Sequence, residues 1–365
     1  YFIASTLAEL YSVQLLSSTK MSNNSSAIIR RKNFTWNSIE RKLYSKNILI
    51  KFLSWLTKFV NKRDEAAINF MGNKISHRLY NFRHLYLQTI QKAILKNDLV
   101  IFCGEFKSGW FKEIVEYSSL NSIPLIFRTT GTILSTSPNL SNFFNGQNCV
   151  LIHSSSNMQD LNKNDDFNSI IIDQTSVIEH KLLAINLNCV SNKLTFGFLG
   201  RFGEEKGILE LLSVMGNLEN TLIIAGDGPL LNKVNNHCDK NQNLNYIGKL
   251  SKEEVADFFE KIDVLIISSY EEAGPLVGIE AMAAGKLVIS TKVGATEDRL
   301  ANTDNQFWFD INDPKSLVNT IHHLESLPKE ELIRIKNQVR ERYIAKYSNA
   351  EIASQYIRVV KELLS

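Results

Sequence analysis

Apolar residues along this chain collect in short, β-branched runs, and most runs give way to a stretch of helical period. Strand-like runs occupy residues 98–104 (DLVIFCG), 124–130 (PLIFRTT), 150–156 (VLIHSSS), 169–177 (SIIIDQTSV), 193–200 (KLTFGFLG), 221–226 (TLIIAG), 243–250 (NLNYIGKL), 263–269 (DVLIISS) and 286–291 (KLVIST). The clearest of them are apolar throughout rather than alternating, as strands covered on both faces are. Helical patterns fill intervals at 79–95, 110–119, 208–215, from Leu276 onward, 329–347 and 350–364. Strand alternating with helix predicts parallel β-α-β units, hence an α/β fold with doubly wound sheets. Local start signals point the same way. SKEE at 251–254 is a capping box, Asp313 and Pro314 are a cap and a first helical position, and Pro229 stands at a first helical position after the Asp227-Gly228 turn.

The first hundred residues are less regular. Residues 1–20 read either as a first strand at YFIAS or as a helix over 2–10 followed by a strand at SVQLLSS. Residues 21–45 are polar and basic, with Arg30, Arg31 and Lys32 in one run, and read as a loop entering a helix. The sharpest signal is 46–62, KNILIKFLSWLTKFVNK. On a helical projection Lys51, Lys58 and Lys62 fall within about 40° of one another, and the large apolar residues fill the opposite arc. Two readings fit: a helix resting on a membrane surface, or, more commonly, a core-facing helix with a solvated basic face.

Length and charge change the picture modestly. The chain has 365 residues, enough for two ordinary domains, with 44% hydrophobic and 22% charged residues. Its formal net charge is +3, but residues 1–100 carry 16 Lys and Arg against 5 Asp and Glu, so that segment holds +11 and the rest −8. A basic N-terminal half fits an anionic partner surface, lipid or polyanionic acceptor. Cys103, Cys149, Cys189 and Cys238 show no CxxC spacing and read as free thiols in a reducing compartment. No charge-free apolar stretch is long enough to span a membrane, and no signal peptide is visible. The chain begins at Tyr1 rather than Met, and its first strand is expected to be truncated.

The chemistry concentrates where strands end. After the run at 263–269 comes a turn with Glu271, Glu272, Gly274 and Pro275, then a helix from Leu276 that carries Glu280. Ligands of open α/β sheets bind beyond the carboxyl ends of the strands. Glu272 and Glu280, eight residues apart, can reach one pocket there. The N–H groups of Gly274, Leu276 and Val277 mark a helix N-terminus that favours an anion. Two hydroxyl acceptors beside a phosphate cradle suit a nucleotide-sugar. A second turn, GRFGEEKG at 200–207, sets Arg201 and Lys206 between a strand exit and a helix start. Preplaced cations there can neutralise a leaving diphosphate. No Asp-x-Asp follows a strand to hold a metal, so no metal and no cofactor are expected.

These two stretches resemble the E-x7-E and G-R-x4-K-G motifs of glycosyltransferase family 4, the retaining group 1 enzymes of GT-B fold. The resemblance is specific over about 195–300 and weaker elsewhere. It implies two Rossmann-like domains facing across a cleft, here 1–187 for the acceptor, 188–347 for the donor and a last helix at 348–365 crossing back, with a linker at 184–191. It implies that Arg201 and Lys206 hold the diphosphate, that Gly200 is a donor-binding position, that Glu272 meets the donor sugar, and that Glu280 accepts from the ribose diol with Gly274, Pro275, Leu276 and Val277 around it. Gly248, Lys249 and Leu250 fall beside the nucleobase. On the acceptor side Thr130 stands where relatives carry a His, ahead of Gly131, and Arg128 is a further cleft position. His153 reads as structural. Asp173, Gln174 and Thr175 replace a Pro-Asn-Gly-Val-Asp turn. Gly294, Ala295 and Glu297 resemble a G-G-x-x-E turn.

The expected activity is metal-independent hexosyl transfer, with retention, to a saccharide or lipid-linked acceptor in cell-surface polysaccharide or glycolipid synthesis. The expected place is the cytoplasm, peripheral at the inner face of an anionic membrane through residues 46–62. A GT-B nucleotide-sugar epimerase and an inactive nucleotide-sugar-binding relative are the alternatives. A dehydrogenase lacks its G-x-G-x-x-G near the start, and nucleic-acid binding lacks an aromatic-interleaved basic motif.

Overall fold

The structure is a computed structural model and describes residues 2–18, 33–131, 148–158, 168–188, 191 and 193–365. The N-terminal half runs α1 (Phe2–Leu7), β1 (Val13–Ser17), β2 (Phe34–Ser38), α2 (Ile39–Lys46), α3 (Ile48–Val60), α4 (Lys74–Leu79), α5 (Phe82–Ile94), β3 (Val100–Gly104), α6 (Phe111–Leu120), β4 (Leu125–Thr129), β5 (Cys149–Ile152), β6 (Ser169–Ile171) and α7 (Glu179–Leu183). The C-terminal half runs β7 (Phe196–Arg201), α8 (Ile208–Met215), β8 (Leu222–Asp227), α9 (Leu231–Cys238), β9 (Leu244–Tyr246), α10 (Val255–Lys261), β10 (Val264–Ile267), α11 (Leu276–Ala283), β11 (Leu287–Ser290), α12 (Thr296–Leu300), β12 (Phe307–Trp308), α13 (Pro314–Ser326), α14 (Lys329–Lys346) and α15 (Asn349–Leu364).

The C-terminal sheet has six strands in the order β12-β11-β10-β7-β8-β9, and every pair is parallel. Counted from β7 this is the 3-2-1-4-5-6 order of a doubly wound nucleotide-binding domain, whose crevice opens where the order reverses, between β7 and β10. β7 pairs with β8 from Phe196↔Leu222 to Arg201↔Asp227. The strands VLII and LVIS are wholly buried, which is why, up to the closing Ser290, their sequence is apolar on both faces.

The N-terminal half holds a parallel four-stranded sheet, β3-β4-β5-β6, and a separate parallel pair, β1-β2. Residues 2–18 follow the helix-then-strand reading; β2 lies inside the stretch read as loop. One face of the four-stranded sheet is an aromatic core in which Phe127 meets Phe106 at 4.7 Å and Phe111 at 4.9 Å. The other face packs Ile126, Leu151 and Ile172 on Leu7 and on Ile352, Tyr356, Val359 and Val360 of α15.

Helix α3 does not face the core as the commoner reading expected. Its inward side is only Ile50, Leu53 and Ser54, while Ile48, Phe52, Trp55 and Phe59 are 82%, 54%, 53% and 70% exposed. Two start signals also shift. The Leu230 N–H is drawn to Phe202 O at 3.1 Å, so the chain turns once more and α9 begins two residues after Pro229. The Glu254 carboxylate accepts from Ser251 N–H at 2.7 Å as a capping box requires, yet α10 begins only at Val255.

Candidate functional site

The exits of β7 and β10 are tied together. Between Arg201 and α8 the chain makes a short helical turn, Glu204–Lys206, and leaves it at Gly207 with φ 58°. A Cβ at Gly207 would stand 2.1 Å from Ser268 O, so only glycine fits this close approach. Ser268 Oγ donates to Lys206 O at 2.9 Å, and Tyr270 N–H donates to Glu205 O at 2.9 Å. These bonds fix Lys206 opposite the loop that follows β10. Its ammonium forms an ion pair with the Glu272 carboxylate, whose Oε1 also accepts from Ser269 Oγ at 2.9 Å. Arg201 ends β7 with its side chain 67% exposed and, among the described residues, held by a 3.7 Å contact to Glu205. A cation with little to hold it is free to meet an anionic ligand.

Pro275 caps α11 in an extended conformation, and the helix runs from Leu276. The first N–H groups of a helix have no intrahelical acceptor and carry the positive end of its dipole. Gly274 and Pro275 are buried, Leu276 is exposed, and Val277 is half-buried. Glu280 lies about one turn on and accepts from Ser176 Oγ at 3.2 Å. Burial raises its pKa to about 7, against the weaker pulls of the Ser176 hydroxyl and Lys252.

Behind this loop sits a buried polar cluster. Arg299 of α12 is 1% exposed and binds Asp173 through two parallel hydrogen bonds of 2.7 Å. Its Nη1 donates to Pro275 O at 2.5 Å. Burial alone would push the Asp173 carboxyl up, but Arg299 and hydrogen bonds from His153 and Gln174 hold it well below the usual carboxylate range. Arg128 donates to Ile172 O at 2.6 Å and contacts His153 Nδ1 at 2.7 Å. Burial keeps His153 below its ordinary pKa despite the pull of Asp173.

The structure thus brings Lys206, Glu272, Gly274, Pro275, Leu276, Val277 and Glu280 to one end of the sheet, with Arg201 at the rim. Gly200 pairs with Gly226 on β8 just below. Gly248, with φ 90°, follows β9, and Gly226 N–H donates to its carbonyl at 2.9 Å; Lys249 is exposed and Leu250 half-buried. Arg128, expected to face an acceptor, is instead buried and occupied by Ile172 O and His153. Thr130 is exposed beyond β4, and Gly131 lies against Glu105. Asp173, Gln174 and Thr175, read as an eroded landmark, are all engaged. Asp173 holds Arg299, Gln174 donates to Gly274 O at 2.8 Å, and Thr175 donates to Asn349 Oδ1 at 2.9 Å. Arg299 was missed, because nothing local marks an arginine whose partner lies 126 residues away. A groove of ≈ 440 Å³ between α8 and the start of α13 touches Tyr270 but none of these site residues.

Comparison with known proteins bears on this arrangement. Residues 184–342 match the family described as glycosyl transferases group 1. An uncharacterized glycosyltransferase of Methanocaldococcus jannaschii is 31% identical over 169 residues, 46% of this chain and 47% of that protein. The chain spans about half the length of the curated relatives it matches. Among solved structures, sucrose-phosphate synthase of Thermosynechococcus elongatus is similar at TM-score 0.71 and 15% identity, over 99% of this chain and 91% of that one. HepE of Anabaena in complex with UDP-glucose is similar at TM-score 0.61 and 14% identity, over 96% and 99%. These likenesses are of fold, and the fold is GT-B: two Rossmann-like domains facing across a cleft. Within that fold, residues 184–342 are similar to the group 1 glycosyl transferases.

Proposed function

We propose that this protein moves a hexosyl group from a nucleoside-diphosphate sugar to an acceptor hydroxyl, with retention at the anomeric carbon and without a metal. The observation that carries the reading is the meeting of Lys206, Glu272 and the start of α11 at the crevice between β7 and β10. Breaking the sugar–phosphate bond places added negative charge on the diphosphate. Lys206, Arg201 and the N–H groups that open α11 stabilise it in place. Lys206 retains two further N–H donors while it pairs with Glu272, so it can bridge carboxylate and phosphate. Glu272 then faces the sugar hydroxyls and Glu280 the ribose diol. The leaving phosphate takes the acceptor's proton, so the scheme needs no separate protein base.

The acceptor in this reading is a saccharide or a lipid-linked precursor of cell-surface polysaccharide or glycolipid, met at the inner face of an anionic membrane. What supports the location is the outward apolar stripe of α3 beside Lys51, Lys58 and Lys62. No helix among the described residues is long and apolar enough to cross a membrane.

The test is a thermal-shift panel with UDP, GDP, ADP and TDP, each in EDTA and in Mg²⁺, on wild type and Glu280→Ala. Stabilisation by one nucleotide, equal with and without metal and lost in the variant, is the expected result. NMR of the anomeric proton in the product then reads the stereochemistry. Metal-dependent binding, or a product of inverted configuration, would refute the corresponding part of the proposal. Donor hydrolysis in a long incubation separates a working enzyme from an inactive binder.

A further inference from the structure

Three successive carbonyl groups, those of residues 273–275, are each held by a different side chain. Asn157 Nδ2 donates to Ala273 O at 2.9 Å, Gln174 Nε2 to Gly274 O at 2.8 Å, and Arg299 Nη1 to Pro275 O at 2.5 Å. Arg299 is gripped in turn by Asp173. Asn157, Asp173 and Gln174 all lie just beyond the carboxyl ends of β5 and β6 in the N-terminal sheet. Ser156 Oγ, from the same place, donates to Gly294 O at 2.7 Å, in the turn that leads into α12 and Arg299.

A peptide group is planar and trans, so fixing one residue's C=O points the next residue's N–H the opposite way. Holding the carbonyls of Ala273 and Pro275 therefore aims the N–H groups of Gly274 and Leu276 away from Asn157 and Arg299. The Leu276 N–H is among the unpaired donors that open α11. Gly274 serves the same arrangement. A Cβ there would stand 2.8 Å from Arg299 Nη2 and 3.4 Å from His153 Cβ. A buried ion pair adds little net stability compared with well-packed apolar groups, so the Asp173–Arg299 pair is better explained by the geometry it imposes.

We propose that Asn157, Gln174 and the Asp173–Arg299 pair are positioning residues: Asn157 and Gln174 directly, and Asp173 through Arg299 of the C-terminal domain, act from the N-terminal domain to orient the 273–275 peptides so that the loop receives the diphosphate of the donor. The inference rests on the function proposed above. It makes donor affinity depend on side chains that belong to the opposite side of the cleft and do not touch the donor.

Arg299→Met or Asp173→Asn would strand a buried charge and unfold the junction, so the test uses Asn157→Ala, Gln174→Ala and Gln174→Glu in the full chain. The last keeps the size of Gln174 but sets an acceptor against a carbonyl. Two quantities are read: amide hydrogen exchange of peptides covering 271–278 in the unliganded protein, and calorimetric affinity for UDP, GDP, ADP and TDP. Loss of one neutral hydrogen bond should speed exchange in that loop about three- to tenfold and weaken the bound nucleotide by a similar factor. Gln174→Glu should match or exceed Gln174→Ala. A lower melting temperature with loop exchange and nucleotide affinity unchanged would overturn the positioning role alone. If the wild-type protein binds none of the four nucleotides, the proposed function falls and the positioning role falls with it.

Discussion

Glu280 is a carboxyl group that folding makes harder to charge. Its pKa rises from 4.5 to about 7, chiefly through burial. Between those values the folded protein keeps a proton that the unfolded chain has released. The contribution of Glu280 therefore favours folding most below pH 4.5 and is lost as pH rises through 7. In Glu280→Gln this dependence disappears. The variant's stability relative to wild type should increase from pH 5 to pH 8, by at most about 3 kcal/mol. Denaturant titrations at several pH values read this directly, and a constant difference would show that the carboxyl group is not desolvated. The two cations of the site make a contrasting pair. Under the proposed function, Arg201→Ala and Lys206→Met should each lower kcat by about 10²–10³. Only the second should also cost stability, about 1–3 kcal/mol, because it deprives the partly buried Glu272 of a charged partner. An Arg201→Ala enzyme within a few-fold of wild type would remove Arg201 from the diphosphate site.

Among the described residues, the outward face of helix α3 carries large apolar side chains that stay exposed. Phe52, Trp55 and Phe59 stack on one another with centroids 6.5 and 5.6 Å apart, and Ile75 and Leu79 of α4 are exposed as well. Aromatic and aliphatic side chains flanked by lysines with long apolar stems suit the headgroup region of an anionic bilayer. Wild-type protein should sediment with phosphatidylglycerol-containing vesicles and not with neutral ones. Lys51→Gln, Lys58→Gln and Lys62→Gln together should weaken binding by about 1 kcal/mol per residue and remove its salt dependence. Phe52→Ser, Trp55→Ser and Phe59→Ser together should abolish binding without lowering the melting temperature, since these side chains bury little. Absence of vesicle binding by the wild type would end the membrane reading. The same helix shows what a sequence carries and what it does not. Its apolar arc was legible, because helical period alone defines an arc; which way the arc faces is decided by neighbours. The C-terminal strands were legible because runs such as VLII and LVI have no polar face to offer water. Lys206, Glu272 and Glu280 could be grouped because each stands at a strand exit or one or two turns into the next helix. Arg299 and Asp173 could not, since their pairing depends on how two domains meet. The start of α9 was misplaced because it is set by Phe202 O, a group 28 residues before the Leu230 N–H it captures.

At the scale of the molecule, the two halves share their last helix and their junction. Asn349 N–H, at the start of α15, donates to Glu179 Oε2 at 2.6 Å, and the same oxygen accepts from Tyr343 OH of α14 at 2.7 Å. Arg340 of α14 donates to the carbonyls of Leu182, Leu183 and Ile185 at the end of α7 and to Ala283 O at the end of α11. α14 thus fastens the chain between the sheets, and α15 continues from it onto the N-terminal sheet. There Ile352, Tyr356, Val359 and Val360 cover Ile126, Cys149, Leu151 and Ile172. Burying four large apolar side chains contributes about 1.5–3 kcal/mol each, a sum comparable to the whole stability of a domain. Truncation after Tyr347 should therefore unfold the N-terminal domain and spare the C-terminal one. Calorimetry should show the loss of one transition while the other stays. Cys149, fully buried in the intact protein, should become reactive to a thiol reagent, as read by mass spectrometry of its peptide. Retention of both transitions with Cys149 still protected would mean that the sheet holds without α15 and that the helix only rests on it. Loss of both would mean that the domains fold as one cooperative unit, coupled through the Asp173–Arg299 pair and the Arg340 grip rather than merely tethered.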